Sequence, residues 1–154
     1  MEGIKQHKQA CLLAEHGGLS AYVEQEVVAT ALARSLACAS WLIAMFTAFS
    51  AGLDWYVVLV AVLVTTGALW LLDVYVSYVG VVYKMRRLKV RAWLDEWPQA
   101  SDELVAGWTT PANPFDGLSR SDKMSALKDA LTSPAVFVVY AVLEVGTVVL
   151  LVVA

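Results

Sequence analysis

A long apolar stretch that ends in a cluster of basic residues constrains this chain more than any other feature. Residues 55–83 comprise 29 positions and carry one formal charge, Asp73. A helix needs roughly 20 apolar residues to cross a hydrocarbon core of about 30 Å. Five basic residues follow between 84 and 91, where the positive-inside rule expects the cytoplasmic flank of a span. The stretch therefore predicts a transmembrane helix with its basic end in the cytoplasm.

The composition and two further apolar segments extend this prediction to the whole chain. Hydrophobic residues make up 59% of the sequence and charged residues 16%, against roughly 25% charged residues in an ordinary soluble domain. Residues 35–50 are apolar, and residues 135–154 carry one charge, Glu144. The short connection at 51–54 makes the first two spans antiparallel. We predict an all-α integral membrane protein with three transmembrane helices, an antiparallel hairpin plus a C-terminal span, and a helical cytoplasmic segment.

Helix-breaking and capping residues divide the chain further. His16-Gly17-Gly18 predicts a helix break, and closely spaced Pro and Gly after residue 98 predict a loop. Short helices are expected at 102–108 and 121–131, and Ser133-Pro134 suits the start of the last span. The predicted organisation is a cytoplasmic tail or short helix (1–19), an amphipathic helix with the first span (20–51), the second span with a cytoplasmic helical extension (55–97), a cytoplasmic loop and short helix (98–133), and the third span (134–154).

The same pattern predicts a location and an orientation. The basic cluster follows the second span, so the N-terminus is expected in the cytoplasm and the C-terminus outside. We therefore expect a multi-pass membrane protein.

Two acids inside the predicted spans need an explanation. An acid at the centre of a membrane helix costs about 2.5–3.5 kcal/mol on insertion scales. By helix rise, Asp73 and Glu144 each lie roughly 15 Å from the cytoplasmic boundary. Arg34, at the cytoplasmic start of the first span, is the only nearby base, and none is expected within the spans. The acids are then either protonated and hydrogen-bonded, or they face water inside an oligomer.

Helical spacing places each acid on a polar stripe. Such a stripe on a membrane helix is typical of a polar seam or a pore wall. The alternative is that each acid bonds a neighbouring backbone or a tyrosine for packing alone. The candidate seam residues are Thr66, Asp73 and Ser77 on span two, and Tyr140, Glu144 and Thr147 on span three.

The basic cluster allows two interpretations. In the first, it orients the helix and contacts anionic lipid, at about 1 kcal/mol per basic residue near the surface. Alternatively, it binds an anionic ligand, a nucleotide or RNA. Apolar residues on the same helix favour the lipid interpretation, and a pI near 5.3 argues against dedicated nucleic-acid binding. The cluster comprises Lys84, Arg86, Arg87, Lys89 and Arg91.

The chain lacks the motifs that usually carry enzyme chemistry. It contains no Gly-rich phosphate loop, no nucleophile elbow and no metalloprotease helix. His7 and Cys11 are spaced i, i+4, but zinc needs more ligands at defined spacing. We expect no enzymatic activity, no cofactor and no metal.

One segment carries a resemblance to a known group of proteins. Residues 69–75 read Leu-Trp-Leu-Leu-Asp-Val-Tyr, and Tyr83-Lys84 and further basic residues follow. This pattern resembles small bacterial membrane proteins of the SLATT type, which are associated with antiphage defence. The resemblance covers about residues 20–97, with a looser match at 113–115 and in the last span. The resemblance implies two close spans before a cytoplasmic helical extension. It also implies that an oligomer of the protein disrupts the membrane when a partner protein senses infection.

These observations support three functional hypotheses. The first is an oligomeric membrane effector that forms a pore or perturbs the inner membrane in bacterial antiphage defence. Its partners would be membrane lipids, further copies of the chain and a cytoplasmic sensor. The second is a non-enzymatic membrane anchor or accessory subunit that docks a cytoplasmic partner through residues 84–133. The third and weakest is an element of a proton-coupled transporter.

Overall fold

The computed structural model describes residues 2–99, 113, 115–116 and 118–153. Regular structure within these residues is entirely helical. The expected helix at 102–108 lies outside the described residues.

The helices follow the chain in a simple order. Helix α1 spans Glu2–Ala51 and helix α2 spans Trp55–Glu96, followed by a 3₁₀ turn at Trp97–Gln99. Helix α3 spans Arg120–Leu131 and helix α4 spans Pro134–Val153. Helices α1 and α2 and the segment that contains α4 are each long and apolar enough to cross a membrane. The predicted all-helical class and three membrane-length helices are confirmed.

The turn between α1 and α2 is built by glycine and aspartate. Gly52 has a φ of +64°, a left-handed conformation that commonly ends a helix. The Leu53 N–H then donates to the Ala48 carbonyl at 3.2 Å, which satisfies one of the free carbonyl groups at the end of α1. The first turn of α2 begins with Val57 N–H donating to Asp54 O at 3.0 Å. The predicted tight connection at 51–54 is confirmed.

The predicted break at His16-Gly17-Gly18 is wrong, because α1 continues through it without interruption. A glycine inside a helix costs about 1 kcal/mol relative to alanine. Leu12 and Leu19, one on each side of the glycines, are buried against α2. Their burial holds the helix together across the two unfavourable positions, since each buried leucine side chain contributes about 1.5–3 kcal/mol.

The starts of α3 and α4 agree with their sequence signals. Ser119 Oγ accepts a hydrogen bond from Asp122 N–H, and Asp122 Oδ2 accepts one from Ser119 N–H, both at 3.1 Å. This reciprocal pair is a capping box in which aspartate replaces the usual glutamate. At α4, Ser133 O accepts from Phe137 N–H at 3.0 Å, and Pro134 occupies the first helical position, where its missing N–H costs nothing.

The chain divides into two compact units, which we call the charged unit and the apolar unit. The charged unit comprises Met1–Glu26 and Val79–Ala126, and the apolar unit comprises Val27–Tyr78 and Leu127–Ala154. Helices α1 and α2 each contribute to both units. The core of the charged unit contains Leu12, Leu19, Val90 and Trp97, with Tyr83, Trp93 and Leu94 packed against it.

Helices α1, α2 and α4 meet in the apolar unit. Alanines of α1 contribute to its core, and small residues let helices approach closely in lipid. The buried positions of α4 recur at spacings of four, three and four, which is the pattern of one helix face. The core has two clusters, one with Ala37, Val74, Ala130, Val136, Tyr140 and Leu143, the other with Met45, Ala48, Val58 and Val62.

Candidate functional site

A buried ion pair joins α1 to α2 inside the apolar unit. Arg34 Nε lies 2.8 Å from Asp73 Oδ2, and Arg34 Nη2 lies 3.4 Å from Asp73 Oδ1. The Asp73 side chain is fully buried, whereas that of Arg34 is 26% exposed. Arg34, the only nearby base that the sequence offered, is therefore the partner of Asp73. Arg34 lies well inside α1, and its long side chain reaches the acid with two nitrogen atoms.

The second acid, Glu144 on α4, contacts a hydroxyl on α2. Its Oε1 is hydrogen-bonded to Thr66 Oγ1, which also lies 2.8 Å from the Val62 carbonyl. Glu144 is half-buried and forms no ion pair within the described part of the chain. The two acids that the sequence placed together thus have different partners, a guanidinium for Asp73 and a hydroxyl for Glu144.

Thr66 Oγ1 contacts two oxygen atoms, the Val62 carbonyl of its own helix and Oε1 of Glu144. The Glu144 side chain therefore joins α4 to α2 through this hydroxyl group.

Two more polar contacts tie α4 to its neighbours. Trp41 Nε1 on α1 donates to Thr147 Oγ1 at 2.7 Å. Tyr140 O–H donates to the Leu69 carbonyl of α2 at 3.1 Å. Each helix of the apolar unit is thereby joined to the other two by at least one side-chain hydrogen bond. The sequence did not single out Trp41, because an aromatic residue in a span is ordinary.

Five of the six candidate seam residues form an ion pair or hydrogen bonds between helices of one chain, and the sixth, Ser77, is buried. Of the six, only Glu144 is not buried, and it is half-buried. The buried five are Thr66, Asp73, Ser77, Tyr140 and Thr147.

A cleft lies beside Glu144 in the apolar unit. It has a volume of about 280 Å³ and lies between α2 and α4. Phe137 lines it and is mostly exposed, so the cleft opens on the outer surface of the unit. Its other lining residues are Thr66, Gly67, Trp70, Tyr140, Ala141 and Glu144.

In the charged unit, three of the five cluster cations are paired within the chain. Lys84 Nζ lies 2.8 Å from a Glu26 carboxylate oxygen, and Lys89 Nζ lies 2.9 Å from Asp122 Oδ2. Arg86 Nε donates to Glu15 Oε1 at 2.7 Å, and its guanidinium lies 5.1 Å from the centre of the Trp93 ring. The Arg86 side chain is 1% exposed, which makes it a packing residue of this unit.

The other two cluster cations are Arg87, which is partly exposed, and Arg91, which is exposed. Neither pairs with a carboxylate among the described residues. They are four residues apart on α2 and lie on either side of Leu88, which is 62% exposed. The contacts predicted for the whole cluster, with lipid or with a partner, therefore concentrate on these two side chains.

The acid that neutralises Lys84 is accommodated by a glycine. The Glu26 side chain occupies the space where a Cβ atom at Gly80 would lie. Tyr22 and Tyr83 stack nearby, with ring centroids 4.9 Å apart and an angle of 15° between their planes. Gly80 thus lets the carboxylate of α1 come close to the backbone of α2.

Asp122 connects α3 to α2 and caps α3 at the same time. The Lys89 ammonium lowers the pKa of Asp122, and hydrogen bonds from Ser119 lower it further. The carboxylate is therefore ionised throughout the neutral range, and it is available to both partners.

Counting residues from the hairpin turn predicts two of these contacts between α1 and α2. In an antiparallel hairpin, residues equally distant from the turn lie opposite one another. Counted from Leu53, Arg34 is 19 residues back and Asp73 is 20 residues forward. The tyrosines Tyr22 and Tyr83 are 31 back and 30 forward. The sequence thus held a signal for the Arg34–Asp73 pair, whereas Lys89–Asp122 follows from no such count.

Comparisons with protein-family models, with curated proteins and with solved structures found no match to this chain. Within the described residues, no group of three or more His, Cys, Asp or Glu side chains could hold a metal ion. The function is therefore inferred from the contacts between helices, the cleft and the cations Arg87 and Arg91.

Proposed function

We propose that this chain is a non-enzymatic membrane effector that permeabilises or perturbs the bacterial inner membrane as a homo-oligomer, and that the conformation described here is its closed form. The observation that carries the proposal is the Arg34–Asp73 ion pair between two membrane-length helices. The antiphage context comes from the resemblance to SLATT-type proteins.

A protein that served only as a membrane anchor would not need a buried ion pair between its helices. Taking a charged group out of water costs several kcal/mol per ion, and intramembrane ionisable residues are usually functional. Apolar side chains would hold a plain anchor together without that cost. Separation of α1 from α2 would instead turn Asp73, Thr66 and Ser77 towards a shared polar surface, which several copies could line.

Leakage measurements test this proposal. Asp73→Asn leaves Arg34 without a counter-ion, so we expect it to loosen the closed form and raise dye leakage in cells and in liposomes containing the full-length protein. Asp54→Asn, the same chemical change in the exposed turn, is the matched control and should behave like the wild type. The charge swap Arg34→Asp with Asp73→Arg should restore the closed behaviour.

Two results would contradict the effector role. One is the absence of leakage and conductance for the wild type and for every variant. The other is a purely monomeric protein in lipid discs under all conditions.

A second candidate function is a membrane anchor or accessory subunit that docks a cytoplasmic partner through residues 84–133. The outward face formed by Arg87, Leu88 and Arg91 favours it. A photoreactive residue at Leu88 should then cross-link to a protein in native membranes, and one at the exposed Leu63 of the apolar unit should not. Under this alternative Asp73→Asn has no effect on leakage.

A further inference from the structure

We infer that the cleft beside Glu144 is a binding site for a lipophilic amine, a molecule with an apolar tail and a basic nitrogen that enters from the bilayer. Such a site would exist whether or not the chain permeabilises membranes. Its volume of about 280 Å³ is close to the lower end of the 300–1,000 Å³ that is usual for small-molecule sites.

The lining of the cleft suits this class of ligand. Ligand sites combine apolar and aromatic walls with a few polar groups that fix orientation. Here the walls include Trp70, Phe137 and Tyr140, and the polar groups are Glu144 and Thr66. Aromatic faces attract ammonium groups by about 0.5–2 kcal/mol. Gly67 contributes no side chain, and there is open space where its Cβ would lie.

Charge complementarity selects an amine over other amphiphiles. No base pairs with Glu144 within the described part of the chain. A protonated lipophilic amine carries an ammonium group that can contact a carboxylate at Glu144 while its apolar tail lies against the aromatic walls. The ammonium and the carboxylate then form an ion pair with no net charge. An alcohol of the same length can accept a hydrogen bond but cannot form this ion pair.

Quenching of tryptophan fluorescence can test the site, because bromine quenches tryptophan on contact. The full-length protein is placed in lipid discs of zwitterionic lipid and titrated with bromododecylamine or with bromododecanol. We expect saturable quenching by the amine, with an apparent affinity at least about tenfold higher than that of the alcohol, which is the worth of a hydrogen bond to a charged group. Trp70→Phe should remove the saturable part, whereas Trp55→Phe, at the exposed start of α2, should leave it.

Two variants distinguish the contribution of the Glu144 carboxyl group from that of the open volume of the cleft. Glu144→Gln should abolish the preference for the amine, and Asp54→Asn should keep it. Gly67→Leu fills the cleft without touching the carboxyl, so it should abolish saturable binding of both probes while the thermal unfolding temperature stays near that of the wild type.

Three outcomes would overturn the inference. The first is equal affinity for amine and alcohol. The second is an amine preference that survives Glu144→Gln. The third is the absence of saturable quenching by the amine. Efficient disulfide formation between copies that carry Ala141→Cys in a Cys11→Ser, Cys38→Ser background would then show that a second chain covers the cleft.

Discussion

The two units of this protein use polar side chains in opposite ways. In the apolar unit a single ion pair and a few hydrogen bonds join one helix to another, as in Arg34–Asp73 and Trp41–Thr147. In the charged unit three ion pairs accompany a core of leucine, valine and tryptophan, and one of them, Arg86–Glu15, is itself largely buried. Between helices surrounded by lipid the hydrophobic driving force is absent, so polar contacts and small residues hold them together. A core that forms in water gains that driving force from its apolar side chains.

The largest effect on stability is expected from substitutions in the Arg34–Asp73 pair of the apolar unit. Arg34→Ala leaves a fully buried carboxylate without a counter-ion, and we expect it to destabilise the protein by about 3–5 kcal/mol. Replacing both residues, as Arg34→Met with Asp73→Leu, removes the charges together and should cost far less. Unfolding of the purified protein in mixed micelles measures both. A loss below about 1 kcal/mol for the single change would mean that the pair contributes little.

Glycines provide a matched pair of substitutions, one in each unit. Gly67→Ala in the apolar unit meets open space, so the higher helix propensity of alanine should stabilise α2 by about 0.5–1 kcal/mol. Gly80→Ala in the charged unit displaces the Glu26 side chain from Lys84, and the loss of this ion pair should cancel the gain in helix propensity. We therefore expect the free energies of unfolding of the two variants to differ by about 1 kcal/mol. Faster acetylation of Lys84 in Gly80→Ala would report the broken pair. Equal stabilisation by both changes would contradict the observed approach of Glu26 to α2.

A single hydrogen bond tests how α4 is held in the apolar unit. Trp41→Phe keeps an aromatic ring but removes the donor to Thr147. We expect a loss of about 0.6 kcal/mol, the average for side-chain hydrogen bonds between membrane helices. Trp55→Phe is the control, because Trp55 is mostly exposed. Indistinguishable unfolding curves for the two variants would mean that the bond to Thr147 contributes nothing measurable.

The smallest expected effect is the pH response of the charged unit at Asp122. The folded-state pKa of Asp122 is below its ordinary value of 3.8. Its contribution to stability is therefore fully present above about pH 3.8 and is lost as the pH falls through the folded-state pKa. Carbon-detected NMR titration should show this low pKa, and Lys89→Met should raise it. A pKa at or above 3.8 in the wild type would contradict the Lys89–Asp122 contact.

Helix positions followed largely from local sequence signals. Helix α2 and its extension were predicted at 55–97 and observed at Trp55–Glu96, and the helix predicted at 121–131 is Arg120–Leu131. Local rules were sufficient because the boundaries are set by Asp54, the Ser119–Asp122 box and Ser133-Pro134. They failed at Gly17 and Gly18, where burial of leucines on both sides outweighs the cost of the glycines.

The sequence by itself determined the apolar, all-helical character of the chain, the hairpin turn at Gly52 and the rarity of its internal acids. These properties depend on composition and on local backbone preferences. Only the tertiary structure decided that Thr66 binds Glu144, that Lys89 binds Asp122, and that Arg91 remains exposed. The physical reason is that a helix fixes which residues share its face, whereas packing against other helices decides which face meets which.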